Sequence, residues 1–293
     1  MSEVAAIWQA ERPRLLGLAY TVTGSWTDAE DVVSDGWLRL DRAEQEGREL
    51  DDVASWLTTV VSRLALDAAT TAAKRRESYG GPWLPEAVLE DPRGNVINHE
   101  GADPEYRAVL GDEVDLVFVR LIQELSPVDR VILVLVDVAE LAHAEVAGIV
   151  GTTPSATRQR LRRARRTLAH QPDDPQRSHV ADRGTLDALA ESLNNGDLEM
   201  LVEQLSEGCV LWTDSGGLSR AARNPIHGPE KVSRFLTGLI EKYGMPQLSV
   251  VVAVGGAVLR AVSTDMTRII TLEVTDGRIT GMQIQQNAEK IRN

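Results

Sequence analysis

The sequence predicts a multidomain chain in which two all-α modules precede a C-terminal α+β domain. Three observations carry this expectation. At 293 residues the chain is longer than one hydrophobic core usually supports, so it needs two or three domains. Apolar residues recur at intervals of three and four through residue 169, and β-rich segments gather only after residue 205. Two stretches rich in proline, glycine and polar residues, 80–109 and 172–179, interrupt these patterns. They leave modules 1–79, 110–171 and 180–293. Aromatic residues are only 4% of the chain, which leans toward helices cored by Leu, Val and Ala.

The first module begins as a helical hairpin. Ile7, Leu15, Leu18 and Val22 share one stripe, and Val32, Val33, Trp37, Leu38 and Leu40 continue it after "TGSWTD". In that break Gly24 stops one helix, and Thr27 with Glu30 three residues on has the pattern of a capping box. The acidic "DRAEQEGRELDD" reads as a loop. A third helix follows, with Val53, Trp56, Leu57, Val60, Val61, Leu64 and Leu66 apolar and Lys74, Arg75 and Arg76 at its end. Those cations suit a helix C-terminus, and they also suit a phosphate.

In the 80–109 stretch, Trp83 and Leu84 stand between Pro82 and Pro85, which fits a docking peptide better than a bare spacer. The second module resumes with "VDLVFVRLIQEL". The helix "SPVDRVILVLVDVA" has Ser126 as cap and Pro127 in its first turn, and the short helix "AHAEVAGIV" follows. Gly151 closes that helix, and Thr153 or Ser155 caps the next one, with Pro154 at its start. Two short helices joined by a tight glycine turn make a helix-turn-helix candidate. In the third module "ADRGTLDALAESLNNGDLEMLVEQLS" gives two helices, "CVLWTD" a strand and "GPEKVSRFLTGLIEKYG" a helix. Four β-rich segments follow, with a hairpin turn at Asp276-Gly277.

Charge separates the functional classes. The net charge is −13, with −9 on residues 1–170 and −4 on residues 171–293, so a generally basic nucleic-acid surface is excluded. Any nucleic-acid contact must therefore be local. "SATRQRLRRARR", residues 155–166, places six arginines and no acid in twelve positions. On a helical wheel Thr157, Leu161, Ala164 and Leu168 share one side and the arginines fill the rest. A soluble helix ordinarily mixes signs at i,i+4, so something outside this helix must relieve the repulsion. Phosphate does so, and guanidinium forks also read guanine edges in the major groove.

Other classes find little support. The lone Cys209 allows no intrachain disulfide and reads as a buried thiol in a reducing cytoplasm. The N-terminal residues do not resemble a signal peptide, and apolar runs such as "VILVLV" fall short of the ~18 residues of a bilayer span. No metal cluster or cofactor motif stands out, so neither is expected.

In order and spacing, three segments resemble a bacterial sigma factor of the extracytoplasmic-function group. "SWTDAEDVVSDGWLRL" is similar to the domain 2 helix that grips polymerase. "ASWLTTVVSRLALD" is similar to the helix behind −10 recognition, and "LSPVDRVILVLVDVAELAHAEVAGIVGTTPSATRQRLRRARRTL" to domain 4, which reads the −35 element. Linker "WLPEAVLE", the stretch "DSGGLSRAARNPIHGPEKVSRF" and the terminal "NAEKI" resemble motifs of the SigJ-like subgroup, which carries a fused SnoaL-like domain. The chain departs from that subgroup at Ala87, Ser215, Leu218 and Ala288-Glu289, and has Arg63 where an Asn is common.

The resemblance implies an alternative sigma factor rather than an enzyme, with domain 2 over 1–79, domain 4 over 110–171 and a cone-shaped SnoaL-like regulatory domain over 180–293. It implies partners in core RNA polymerase, through the β′ clamp and β flap, and in promoter DNA. Implied polymerase contacts are Asp28, Glu30, Asp31, Asp35 and Leu38; −10 contacts are Arg63, Lys74, Arg75 and Arg76. Implied −35 contacts are Ser155, Arg158, Gln159, Arg162, Arg165 and Arg166. Regulation in cis would use Trp83, Leu84, Pro85, Glu86, Asp214, Gly216, Gly217 and Asn287, which would pack the C-terminal domain on the sigma domains. The rival expectation is a SnoaL-like enzyme or ligand sensor with a helical interaction module, using Asp214, His227 and Asp265 as polar groups.

Overall fold

The computed structural model describes residues 3–77, 79–90, 115–169, 179–217, 221–264 and 266–291. They fall into two compact units, one drawn mainly from residues 1–77 and 119–169, the other from 78–104 and 170–293. The acidic "PDDP" linker and Asp265 lie outside the described residues.

The first unit begins with three helices, α1 (Glu3–Thr23), α2 (Trp26–Gln45) and α3 (Val53–Arg76). Gly24 ends α1 with φ 67°, as its lack of a Cβ permits. The cap of α2 is Ser25 rather than Thr27: Ser25 is extended and its hydroxyl accepts from the Asp28 amide. Thr27 already lies inside the helix, two residues past the cap. Asp52 caps α3 through the Ser55 amide. Leu15, Leu16, Tyr20, Leu40, Leu57 and Val61 fill the space between the three helices, and Tyr20 meets Trp26 edge-on at 5.6 Å. Trp56 is half-buried.

Four shorter helices complete this unit: α4 (Leu116–Ile122), α5 (Pro127–Leu133), α6 (His143–Val150) and α7 (Pro154–Ala169). α4 is shorter than the apolar pattern suggests, because Asp115 accepts from the Val117 and Phe118 amides and starts the helix there. Ser126 caps α5 as expected. Beyond Leu133 the helix widens into a π turn, Val134–Val138. Gly151, at φ 71°, closes α6, and the Thr153 hydroxyl accepts from the Ala156 amide to open α7.

Arg130 ties this unit together. Only 3% exposed, it donates to the carbonyls of Ile122, Gln123 and Leu125 around α4 and of Val22 at the end of α1. Burial, with the Arg76 charge second, pushes its pKa down to about 9, so it stays a cation at neutral pH and four carbonyls satisfy it.

In the second unit one mixed sheet runs in the order β3-β2-β7-β6-β5-β4, with β1 also on β6. The strands are β1 (His179–Val180), β2 (Leu205–Asp214), β3 (Ile226–His227), β4 (Gln247–Ala253), β5 (Gly256–Ser263), β6 (Met266–Thr275) and β7 (Arg278–Gln285). β2 and β7 pair in parallel and every other pair is antiparallel. The β6–β7 turn uses Asp276 and Gly277, both at positive φ, as a type I′ hairpin requires. Helices α8 (Arg183–Asn194), α9 (Glu199–Gln204) and α10 (Pro229–Tyr243) join the sheet around a core that includes Leu186, Leu189, Leu211, Leu259, Leu272 and Met282.

Residues 79–90, expected as a linker, belong to this second unit. Leu84 through Leu89 are buried. Leu89 bridges Ala253 at the edge strand β4, with Glu90 donating to the Val252 carbonyl and Val254 donating to that of Val88. The segment adds itself to a sheet edge, which removes an exposed template for aggregation.

Replacing Arg130 with Ala strips four buried carbonyls of their donor. The expected loss is about 3 kcal/mol or more of stability, read from urea unfolding of the full chain; a loss below about 1 kcal/mol would show that these carbonyls find other partners.

Candidate nucleic-acid interface and linker site

α7 presents the arginines as the wheel expects. Thr157, Leu161, Ala164 and Leu168 are buried, and Ser155, Arg158, Gln159, Arg162, Arg163, Arg165 and Arg166 are exposed. The repulsion is partly relieved within the unit. Arg160 pairs with Asp129 at 2.8 Å and Arg165 with Asp137 at 2.5 Å. The hydrogen bonds that Arg165 donates to Asp137 hold its pKa above the ordinary value. Both acids come from the elements before the turn, so α7 is docked by its own counter-charges. Arg158 and Arg162, one turn apart near the helix start, are left facing solvent.

The cations of α3 divide. Lys74 and Arg75 are exposed, and Arg75 stands 4.0 Å from Asp28 of α2. Arg76 corrects the expectation of a phosphate contact: half-buried, it donates to Gln123 and to the Thr23 carbonyl. Both are internal acceptors. Arg63 is exposed, yet its guanidinium donates to the carbonyls of Gly148 and Ile149 at the end of α6. On α2, Asp31, Asp35 and Leu38 are exposed on neighbouring turns, Leu38 at 49%. Trp37 leans on Trp8 at 5.3 Å, and Asp28 and Glu30 are half-buried.

The residues expected to regulate converge on one carboxylate. Asp214, at the end of β2, is 0% exposed. One oxygen accepts from the Tyr79 hydroxyl at 2.5 Å and the Gly216 amide at 3.0 Å. The other accepts from the Leu84 amide at 2.9 Å and Lys290 Nζ at 2.6 Å. Lys290 also donates to the Leu84 carbonyl and lies 3.9 Å from the Trp83 ring centroid, a cation–π contact. Gln285 donates to the carbonyls of Leu84 and Pro85, and Asn287 to the Tyr79 hydroxyl. Burial, then the hydrogen bond to Asp214, pushes the Tyr79 pKa well up, so the phenol remains a donor.

Local backbone serves the same contact. Gly216, at φ 63°, sits so close to Asn287 that a Cβ would stand 2.7 Å from its amide nitrogen. Gly217 is also at positive φ, and Glu86 is buried at 8% exposure. Tyr79, Lys290 and Gln285 were missed as site residues by sequence reasoning. The signal for Lys290 was its place inside the terminal "NAEKI" motif; nothing in sequence marks Gln285. The catalytic set of the rival reading does not assemble among the described residues. Both Asp214 oxygens are taken, and His227 is exposed on β3, paired with Val210. No described cluster of His, Cys, Asp or Glu could hold a metal ion, and no described helix is long and apolar enough to cross a membrane.

Comparison with known proteins gives concordant results. Residues 7–75 match the family Sigma-70 region 2, and residues 116–168 match Sigma-70, region 4. The chain is 36% identical over 243 residues to the ECF RNA polymerase sigma factor SigJ of Mycobacterium tuberculosis, covering 81% of this chain and 73% of that protein. It is 29% identical over 284 residues to the probable ECF RNA polymerase sigma factor SigI of the same species, covering 96% and 92%. The crystal structure of M. tuberculosis SigJ superposes with a TM-score of 0.77 at 30% identity, over 98% of this chain and 97% of that one.

Asp214→Ala leaves Lys290 buried without its counter-charge. The expected cost is about 3 kcal/mol in the second unit, together with rapid protease cleavage between residues 79 and 90. Tyr79→Phe removes one hydrogen bond and costs about 1 kcal/mol. A D214A chain as stable and as protease-resistant as the parent would show that the carboxylate does not hold the segment.

Proposed function

The chain belongs to the extracytoplasmic-function RNA polymerase sigma factors, and from that premise we propose how its parts divide the work of an alternative sigma factor. α7 enters the major groove at the −35 element. Ser155, Arg158, Gln159 and Arg162 contact bases and adjacent phosphates there, while Arg166 holds backbone. Arg165 does the same only after leaving Asp137. The α2 face of Asp31, Asp35 and Leu38, with Asp28 and Glu30 at its entrance, docks on the β′ clamp of core polymerase, and the module carrying α7 meets the β flap. Arg63, Lys74 and Arg75 contact the opened strand at −10, where stacking and phosphate contacts offset the cost of unstacking. This work takes place in the cytoplasm.

Geometry supports a closed resting state. The −10 and −35 elements are about 25 base pairs apart, or ~85 Å of duplex. A compact unit of this size is roughly 40 Å across. The first unit therefore has to open before both elements can be read, and Arg63 is released from Gly148 and Ile149 as it does.

The observation that carries regulation in cis is the Asp214 cluster. It fastens residues 79–90, part of the chain joining the two sigma modules, to the C-terminal domain. The 24 residues from 91 to 114 lie outside the described residues, and a chain of that length spans at most ~85 Å when fully extended. Releasing residues 79–90 adds about 40 Å of reach. The C-terminal domain thus restrains the separation of the two DNA-reading modules, and promoter spacing is the quantity it controls.

The test is run-off transcription with core polymerase on promoters whose −35 to −10 spacing is varied. Arg158→Ala and Arg162→Ala are expected to abolish promoter-specific transcription while still co-eluting with polymerase. Leu38→Asp is expected to lose co-elution, with its unfolding midpoint unchanged. Asp214→Ala is expected to accept longer spacers than the parent does. Normal transcription by R158A and R162A would refute the −35 assignment, and an unchanged spacer preference in D214A would refute restraint by the linker.

A further inference from the structure

The second unit contains a cavity that the sigma function does not use. Its inner chamber, about 100 Å³, lies between the sheet and all three helices, with Leu193 of α8, Leu201 of α9, Leu236 of α10, and Leu259 and Met282 of the sheet among its walls. It widens into a vestibule of about 310 Å³. Arg268, Ser263 and Tyr243 border both spaces. An apolar cavity of about 150 Å³ holds a benzene-sized ligand, so the inner chamber suits the end of a chain better than a fused ring system.

Arg268 gives the cavity its polarity. Half-buried on β6, it has only neutral partners among the described residues, Gln286 Oε1 at 3.2 Å and Ser263 Oγ at 3.3 Å. Burial lowers its pKa, the sign of a guanidinium poorly compensated for lost water. One guanidinium fork matches one carboxylate. A doubly charged phosphate would leave excess negative charge against apolar walls.

The same strand touches the linker. Ile284 and Gln286 line the vestibule. The intervening Gln285, whose side chain points to the opposite face, holds the carbonyls of Leu84 and Pro85. Gln286 takes Arg268 Nε with its side chain and donates its amide to the Asp214 carbonyl at 2.8 Å.

We propose that this cavity binds an amphipathic monocarboxylate, tail in the inner chamber and carboxylate on Arg268, and that occupancy reaches residues 79–90 through Gln286. The second half rests on the linker reading above. A carboxylate at Arg268 competes with Gln286 for the guanidinium, and Gln286 is one bond from the Asp214 backbone. The C-terminal domain then acts as a receptor for a carboxylic acid with an aliphatic tail, and the linker is its output.

Calorimetry on the full chain with decanoate, decanol and decylamine tests the site. Decanoate is expected to bind, with decanol about tenfold weaker and decylamine weaker still. Arg268→Gln is expected to lose the preference for decanoate while keeping decanol. Leu239→Trp, which fills both chambers from α10, is expected to lose both ligands. No binding of decanoate at millimolar concentration would overturn the site, and so would an R268Q chain that keeps the carboxylate preference. Hydrogen exchange at residues 79–90 reads the relay: decanoate is expected to change exchange at the Leu84 amide, and binding without that change would overturn the relay alone. Spacer-dependent transcription by the ligand-free chain tests the linker reading separately.

Discussion

A buried carboxylate sets the terms for much of the second unit. Taking Asp214 out of water costs several kcal/mol unless the protein returns its hydrogen bonds. It does so from three places in the chain: the Gly216 amide in its own turn, Tyr79 and Leu84 far upstream, and Lys290 at the other end. The parallel pairing of β2 with β7 puts Asp214 opposite Gln285, which brings Asn287 and Lys290 into reach. The close approach of Asn287 requires Gly216. Remove the carboxylate, and the left-handed turn, the buried lysine and the docked linker all lose their reason. A covalent connection between two modules has become part of the fold of a third.

Charge is handled by the same economy in the first unit. A six-arginine stretch on an acidic chain would bind phosphate indiscriminately if all six faced outward. Two are instead paired with Asp129 and Asp137, and the exposed pair Arg158 and Arg162 stands near the helix start, the end that the proposed groove reading brings to the bases. The chain as a whole is acidic, at −13, and that net charge works against indiscriminate binding to duplex. Under the proposed reading, local cations on an acidic chain favour binding where a second contact, through polymerase, adds to them.

The helical modules and the alternation of the sheet were legible in the sequence because both follow from apolar periodicity. So were Gly24, Gly151 and the Asp276-Gly277 turn, where backbone conformation restricts the residue. The Ser25 cap was not, since Ser25 and Thr27 are both capping residues and only two positions apart. The short α4 and the π turn after Leu133 were hidden for a related reason: apolar runs specify burial but not where a hydrogen-bond ladder slips. Trp83 and Leu84 announced a docked segment, yet their destination depended on partners more than 100 residues away. Arg76 shows the limit most plainly. Three consecutive cations at a helix end look alike in sequence, and only tertiary packing decides which one turns inward to Thr23 and Gln123.

Three guanidiniums join the helices of the first unit through uncharged oxygens. Arg63 meets the backbone carbonyls of Gly148 and Ile149, Arg76 meets Thr23 and Gln123, and Arg130 meets Val22. Each is a hydrogen bond from a guanidinium to an uncharged oxygen. A hydrogen bond from a charged donor is worth about 1.5–3 kcal/mol net, and more where its loss leaves buried groups unmet, as at Arg130. Were the unit to open as proposed, the internal hydrogen bond of Arg63 would give way to a phosphate contact made by the same donor.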